Sequence, residues 1–251
     1  PGILEHNMKS LLLVLSMTVS ASSPLLAQAV EPQEIPAPVD KIFIPDGFDD
    51  NDNVEVVVHG SFPDTCYQLG RISADIYAAN KIVTIRSTAL RYPGKFCLQT
   101  ITPFIQEVKL GVLAAGDYNV VYTADRTISS PLKVVRRHTE SPDDYLYATV
   151  ENAYIDVDFD TGKQALKLQG HFPFFFIGCM VMKEVRSYRS PIDVLVVQPI
   201  AEIVSNDACA NQATDRSFEY TSGLTQPFKG EGLLHVRTLH GNSLNRFIDI
   251  Q

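Results

Sequence analysis

The run GSFPDTC, Gly60 to Cys66, returns later in the chain as GHFPFFFIGC, Gly170 to Cys179. Gly60 answers to Gly170, Phe62 to Phe172, Pro63 to Pro173 and Cys66 to Cys179, and further on Cys97 answers to Cys209. The offset is 110 residues at the glycine and 113, then 112, at the cysteines, which places a three-residue insertion in FFFIG. Self-similarity at a fixed period constrains architecture before any motif does, because the same pattern must find the same buried environment twice. Two copies of one folding unit are therefore expected.

Within each copy the two cysteines are almost equally spaced, 31 residues apart in the first and 30 in the second. Four cysteines allow three pairings. Internal pairing, Cys66 with Cys97 and Cys179 with Cys209, accounts for the matched spacing, whereas crossed pairing leaves it unexplained. The chain has no C-x-x-C and no histidine clustered with cysteine, so disulfides are expected in preference to a metal or redox motif. A glycine turn leading into a strand also recurs: Gly232, Leu234 and Val236 read as counterparts of Gly116, Tyr118 and Val120. On that alignment the second copy replaces a tyrosine with leucine.

The first 29 residues are expected to be removed. PGILEHN lies upstream of Met8 and reads as an over-extended start. Met8 and Lys9 then supply a short positive segment, Ser10 to Val19 an apolar core, and Ala27-Gln28-Ala29 a small-x-small cleavage site. That core is shorter than the roughly 20 residues that span a bilayer, and no later segment is long and apolar enough. The expectation is a protein exported to a periplasm or the exterior, with no transmembrane segment in its mature chain. Its formal charge of -8 and lack of a basic block argue against nucleic acid and anionic membrane surfaces.

Strand signals fill the rest. NVEVVVHG, KIVTIRS, EVKLGVL and DYNVVYT, then YATVENAYIDVDF, QALKLQG, DVLVVQPI and LLHVRTL, are β-branched or aromatic runs bounded by Gly, Pro, Asn and Asp. Short strands at this spacing favour β-sandwiches over a doubly wound α/β sheet. Proline-rich residues 30–40 are expected to be an extended linker and charged residues 138–144 a second one. The sandwiches would then cover 41–137 and 145–251.

The first copy resembles small immunoglobulin-like β-domains of exported bacterial proteins of unknown function. The resemblance is carried by G-x-F-P-x-x-C-x-x-L-G from Gly60 to Gly70, by Cys97 followed by Pro103-Phe104, and by L-x-A-G-x-Y-x-V from Leu113 to Val120. It implies an all-β fold of two tandem immunoglobulin-like sandwiches, each with one internal disulfide, and it brings no catalytic residues. Unlike antibody domains, Cys97 precedes Tyr118, so the disulfide must pin a different pair of segments.

Motifs with a chemical mechanism are scarce. G-x-S-x-G, H-E-x-x-H, the P-loop and G-x-G-x-x-G are all missing, and the histidines are scattered. Asp156, Asp158 and Asp160 would share a strand face as a weak calcium candidate. An EF-hand counted from Asp156 would need glycine and an acid where Thr161 and Lys167 stand. The acidic run Asp46 to Asn53 has the same two readings, a weak calcium candidate or a flexible acidic loop entering the first strand, and the loop is the expectation. Phe174, Phe175 and Phe176 cannot all enter one core from a regular strand, which makes them a candidate interaction surface.

These features fit an exported non-catalytic binding or envelope-associated protein, with no cofactor and an unidentified protein or envelope component as partner. The alternative is a secreted protease inhibitor acting through loops of the frame. A hydrolase with a dispersed site would need a cleft in which His171 or His235 meets an acid.

Overall fold

The computed structural model describes residues 31–251 apart from 95, 174–179, 192, 205–215 and 225. The apolar runs form strands β1 (Gln33–Pro36), β2 (Val39–Phe43), β3 (Phe48–Asp49), β4 (Val54–Phe62), β5 (Tyr67–Tyr77), β6 (Ile82–Arg91), β7 (Thr102–Gly111), β8 (Gly116–Tyr122) and β9 (Ser129–Val135). There follow β10 (Val150–Val157), β11 (Gln164–His171), β12 (Met180–Ser190), β13 (Val194–Ile203), β14 (Ser217–Gly223), β15 (Gly230–Thr238) and β16 (Asn242–Ile250). The described residues contain no helix. The chain is all-β.

Four sheets result. β2-β4-β7 is one, and β1-β6-β8-β9-β3, with β5 on the other side of β6, is the second. β10-β11-β14 and β12-β13-β15-β16 are the others. In the first pair, Val54, Val56 and Val58 of β4 meet Val83 and Ile85 of β6, Val120 and Tyr122 of β8, and Leu132 of β9 in one core. In the second pair, Leu166 and Leu168 of β11 meet Leu195 and Val197 of β13 and Leu234 and Val236 of β15. Alternate residues of each strand supply these cores, as the two-residue period requires.

Sheet geometry recurs along with strand order. β6 runs parallel to β8, and β13 runs parallel to β15. Lys81, just before β6, has φ +53° and accepts the amide of Asn119; Asp193, just before β13, has φ +55° and accepts the amide of Leu233. This register puts Gly232, not Leu234, at the place of Tyr118, two residues from the position that the glycine turn suggested. Pairing fixes register, and an isolated glycine does not. The ring of Phe228 fills the vacancy, its edge 2.1 Å from where a Cβ on Gly232 would stand. Lys81 lies over the Tyr118 ring at 4.5 Å and Arg189 over the Phe228 ring at 4.4 Å.

The repeated glycine has a steric reason. β4 and β11 are crowded where β2 and β10 bulge, between Val39 and Lys41 and between Val150 and Asn152. A Cβ on Gly60 would lie 2.0 Å from the Pro38 carbonyl oxygen, and one on Gly170 2.0 Å from that of Thr149. Gly60→Ala therefore forces backbone apart and should lower stability by about 1–3 kcal/mol or more. Urea unfolding would measure it, and a midpoint equal to the parent's would refute the steric account.

Both expected linkers are part of the packed structure. Residues 33–36 and 39–43, starting inside the 30–40 segment, form β1 and β2, with Ala37 and Val39 buried. Proline is tolerated there because β1 is a short strand beside only the end of β6, where few ladder amides are needed. In the 138–144 segment, Asp143 accepts the amides of His240 and Gly241, and the carbonyls of Thr139 and Ser141 accept the Asn51 side chain. Glu31–Gln251 forms one compact unit.

Candidate functional site

β4 is buried on both faces, unlike a strand with one side in water. Its second face, with Val57, joins Phe43 of β2 against Val194, Val196 and Leu233, and Ile105 and Phe247 pack around them. His59 lies flat on Phe247, ring centroids 4.2 Å apart, and burial depresses its pKa. Two sheets thus meet across an apolar seam. At one end the seam becomes polar.

There the expected flexible loop, Asp46 to Asn53, is partly buried. Phe48, Asp49 and Asp52 are buried there, and Arg237 reaches Phe48 and Asp52 from β15. Arg237, 6 % exposed, donates to Asp52 Oδ2 at 3.4 Å and to the Gly47 carbonyl, and its guanidinium stands 4.9 Å over the Phe48 ring. Asp52 Oδ2 also accepts the Asp49 amide at 3.0 Å. Burial raises the Asp52 pKa against the opposing pull of Arg237, and it drives Tyr147 alongside up to about 12.

His235 sits beside this pair, 1 % exposed. Asn245 gives both amide bonds to carboxylates, Glu55 and Glu107, each at 2.8 Å, so its carbonyl oxygen faces His235 Nδ1 at 2.8 Å. Nδ1 therefore carries the proton and Nε2 is a bare acceptor, buried without a partner among the described residues. Burial drives the His235 pKa down to about 3, with Asn245 opposing and the Arg237 cation assisting. Glu55 Oε1 is 3.5 Å from Nδ1. The histidine does meet an acid, but the cavity they line with Asp52, Asp143, Tyr147 and Arg237 is about 20 Å³. That is room for about one water, not for a substrate.

The other sequence candidates are dispersed. Asp156, next to the last residue of β10, is bonded to Lys167 at 2.8 Å. Asp158 lies beyond the strand and accepts the amides of Asp160 and Thr161, so the three carboxylates do not share a strand face. β10 ends at Val157 because Asp158 captures the next backbone amides in a turn. His171 pairs with Glu151 at 3.0 Å in an exposed position. Phe174, Phe175, Phe176, Cys179 and Cys209 lie outside the described residues. Among those described, Asp64, Cys66 and Cys97 come together as potential metal ligands, but both thiols are spent on a disulfide.

That disulfide, Cys66–Cys97, anchors a cluster of exposed apolar side chains. It closes a 31-residue separation, which on chain entropy contributes about 3 to 4 kcal/mol. Next to it the Leu98 amide donates to Thr65 Oγ1 at 3.0 Å, and the Leu98 carbonyl accepts the Thr65 amide at 3.1 Å. Downstream, Phe104 is buried, stacked on Phe62 at 4.6 Å. Phe96, just before the disulfide, and Leu98 and Ile101, between these anchors, are 90, 57 and 74 % exposed. Residues 96–104, FCLQTITPF, carry no charge, a signal that sequence reading passed over in favour of the three phenylalanines.

The fold and surface define an all-β protein built on β-sandwich layering, with a disulfide in its first half. Residues 56–127, from β4 to the turn before β9, match the model of the ORF11 beta-sandwich domain. Neither the curated proteins nor the solved structures contain a match to the chain. Among the described residues, no helix is long and apolar enough to cross a membrane.

Proposed function

We propose that the chain is an exported, non-catalytic binding or envelope-associated protein, made of two tandem immunoglobulin-like sandwiches that arose from one unit. Supporting the duplication are the recurring strand order, the paired bulges opposite Gly60 and Gly170, and the positive φ at Lys81 and Asp193. Export rests on the segment from Met8 to Ala29 and agrees with a formed disulfide. The partner is a protein or envelope component.

The observation that carries a binding role is the loop bearing Phe96, Leu98 and Ile101. Three large apolar side chains held in water cost free energy unless something covers them, and a pinned loop loses little entropy on being covered. Crosslinking the tagged protein in its own cells tests the reading, beside a variant with all three changed to serine and shown by circular dichroism to be folded. A partner captured by the parent and lost by the variant is the expected result. Equal capture by both removes the loop from the function.

A further inference from the structure

The loop's backbone says what kind of surface would cover it. None of residues 96 to 101 lies in a strand, turn or bend. Leu98 is tied to Thr65 through both its amide and its carbonyl, and that carbonyl also takes the Thr100 amide at 2.9 Å. Phe96 and Gln99 make no hydrogen bond among the described residues. A bilayer would strip water from those amides and carbonyls without replacing it, at a cost of several kcal/mol per group. A cleft that binds extended peptides can pair them while its pockets take the side chains.

We propose that Phe96–Ile101 enters the substrate cleft of a serine endopeptidase that selects large apolar side chains, with Phe96 in the primary pocket, and blocks it. This rests on the non-catalytic binding reading and gives it a partner class. Phe96 is the most exposed of the three and lies immediately before the cysteine that anchors the loop. Attack of the peptidase serine hydroxyl on the Phe96 carbonyl would form an ester and expel the Cys97 amine, which takes up the hydroxyl proton. That amine cannot diffuse away, because Cys97 stays bonded to Cys66 and Leu98 stays bonded to Thr65. It attacks the ester, the peptide bond re-forms and the serine regains its proton. Tethering makes this return outrun hydrolysis, since an intramolecular amine competes at a very high effective concentration.

The test uses chymotrypsin as the probe and trypsin as its counterpart of basic specificity. The purified protein should inhibit chymotrypsin and spare trypsin. Phe96→Lys, a change at an exposed side chain that leaves the core untouched, should weaken chymotrypsin inhibition by about 30-fold or more and create inhibition of trypsin. Mass spectrometry should find the parent chain largely uncut at equilibrium. Absence of chymotrypsin inhibition by the folded parent, rapid cleavage without inhibition, or unchanged inhibition by Phe96→Lys would each overturn the proposal. Cellular capture of a loop-dependent partner that is not a peptidase would also overturn it, while leaving the binding reading intact.

Discussion

Unfolding the protein across a pH series should reveal a stability that falls steeply from about pH 6.5 downward, and His235→Gln should flatten that slope. His235 is neutral in the fold, its pKa pressed from 6.5 to about 3 by burial, whereas in the unfolded chain it takes a proton near 6.5. The unfolded state thus binds more protons throughout this window, so stability present above pH 6.5 drains away as the pH falls towards 3. At 1.36 kcal/mol per pKa unit the whole interval is worth about 5 kcal/mol. The groups around the ring are Glu55 from β4, Glu107 from β7 through Asn245, Asp52 from the 46–53 segment, Asp143 and Tyr147 lining the cavity, and Arg237 on the same strand. Burial raises Asp52 and Asp143 above 3.8, so each adds stability on acidification between its raised value and 3.8. They oppose the histidine between those raised values and 3.8, so part of its loss is offset there. Urea midpoints at successive pH values give the curve, and a parallel curve for His235→Gln would sink the assignment.

Arg237→Met should be almost as damaging, by about 3 to 5 kcal/mol, because it leaves the Asp52 carboxylate buried without its cation. It also removes the donor to the Gly47 carbonyl that holds the 46–53 segment against β15. Replacing both partners, Arg237→Met with Asp52→Leu, removes the stranded charge and should recover much of the loss. A double-mutant cycle in urea measures the coupling. If the single change cost less than about 1 kcal/mol, the ion pair would not be what joins these segments.

The two residues were unequally legible. Arg237 interrupts the apolar run LLHVRTL, and an arginine there signals a buried partner. Asp52 gave no such signal, since DGFDDNDN has the composition of a solvated loop. Its burial depends on a cation 185 residues away. The exposed loop lies between. Cysteine spacing predicted the Cys66–Cys97 bond, but the exposure of Phe96, Leu98 and Ile101 depends on which neighbours fail to cover them.

The sequence by itself determined the all-β class, most strand positions and the first disulfide, because two-residue periodicity, turn residues and cysteine spacing are local properties of a chain. It also held Gly60 and Gly170, two glycines at which any side chain would strike a neighbouring strand. Only the tertiary structure decided that VEVVV and VLVV are buried on both faces, since an unbroken apolar run does not say what lies on its far side. It alone moved the register of β15 by two residues and drew His235, Arg237 and Asp52 into one buried cluster, because sheet pairing and side-chain burial are settled by contacts between distant segments.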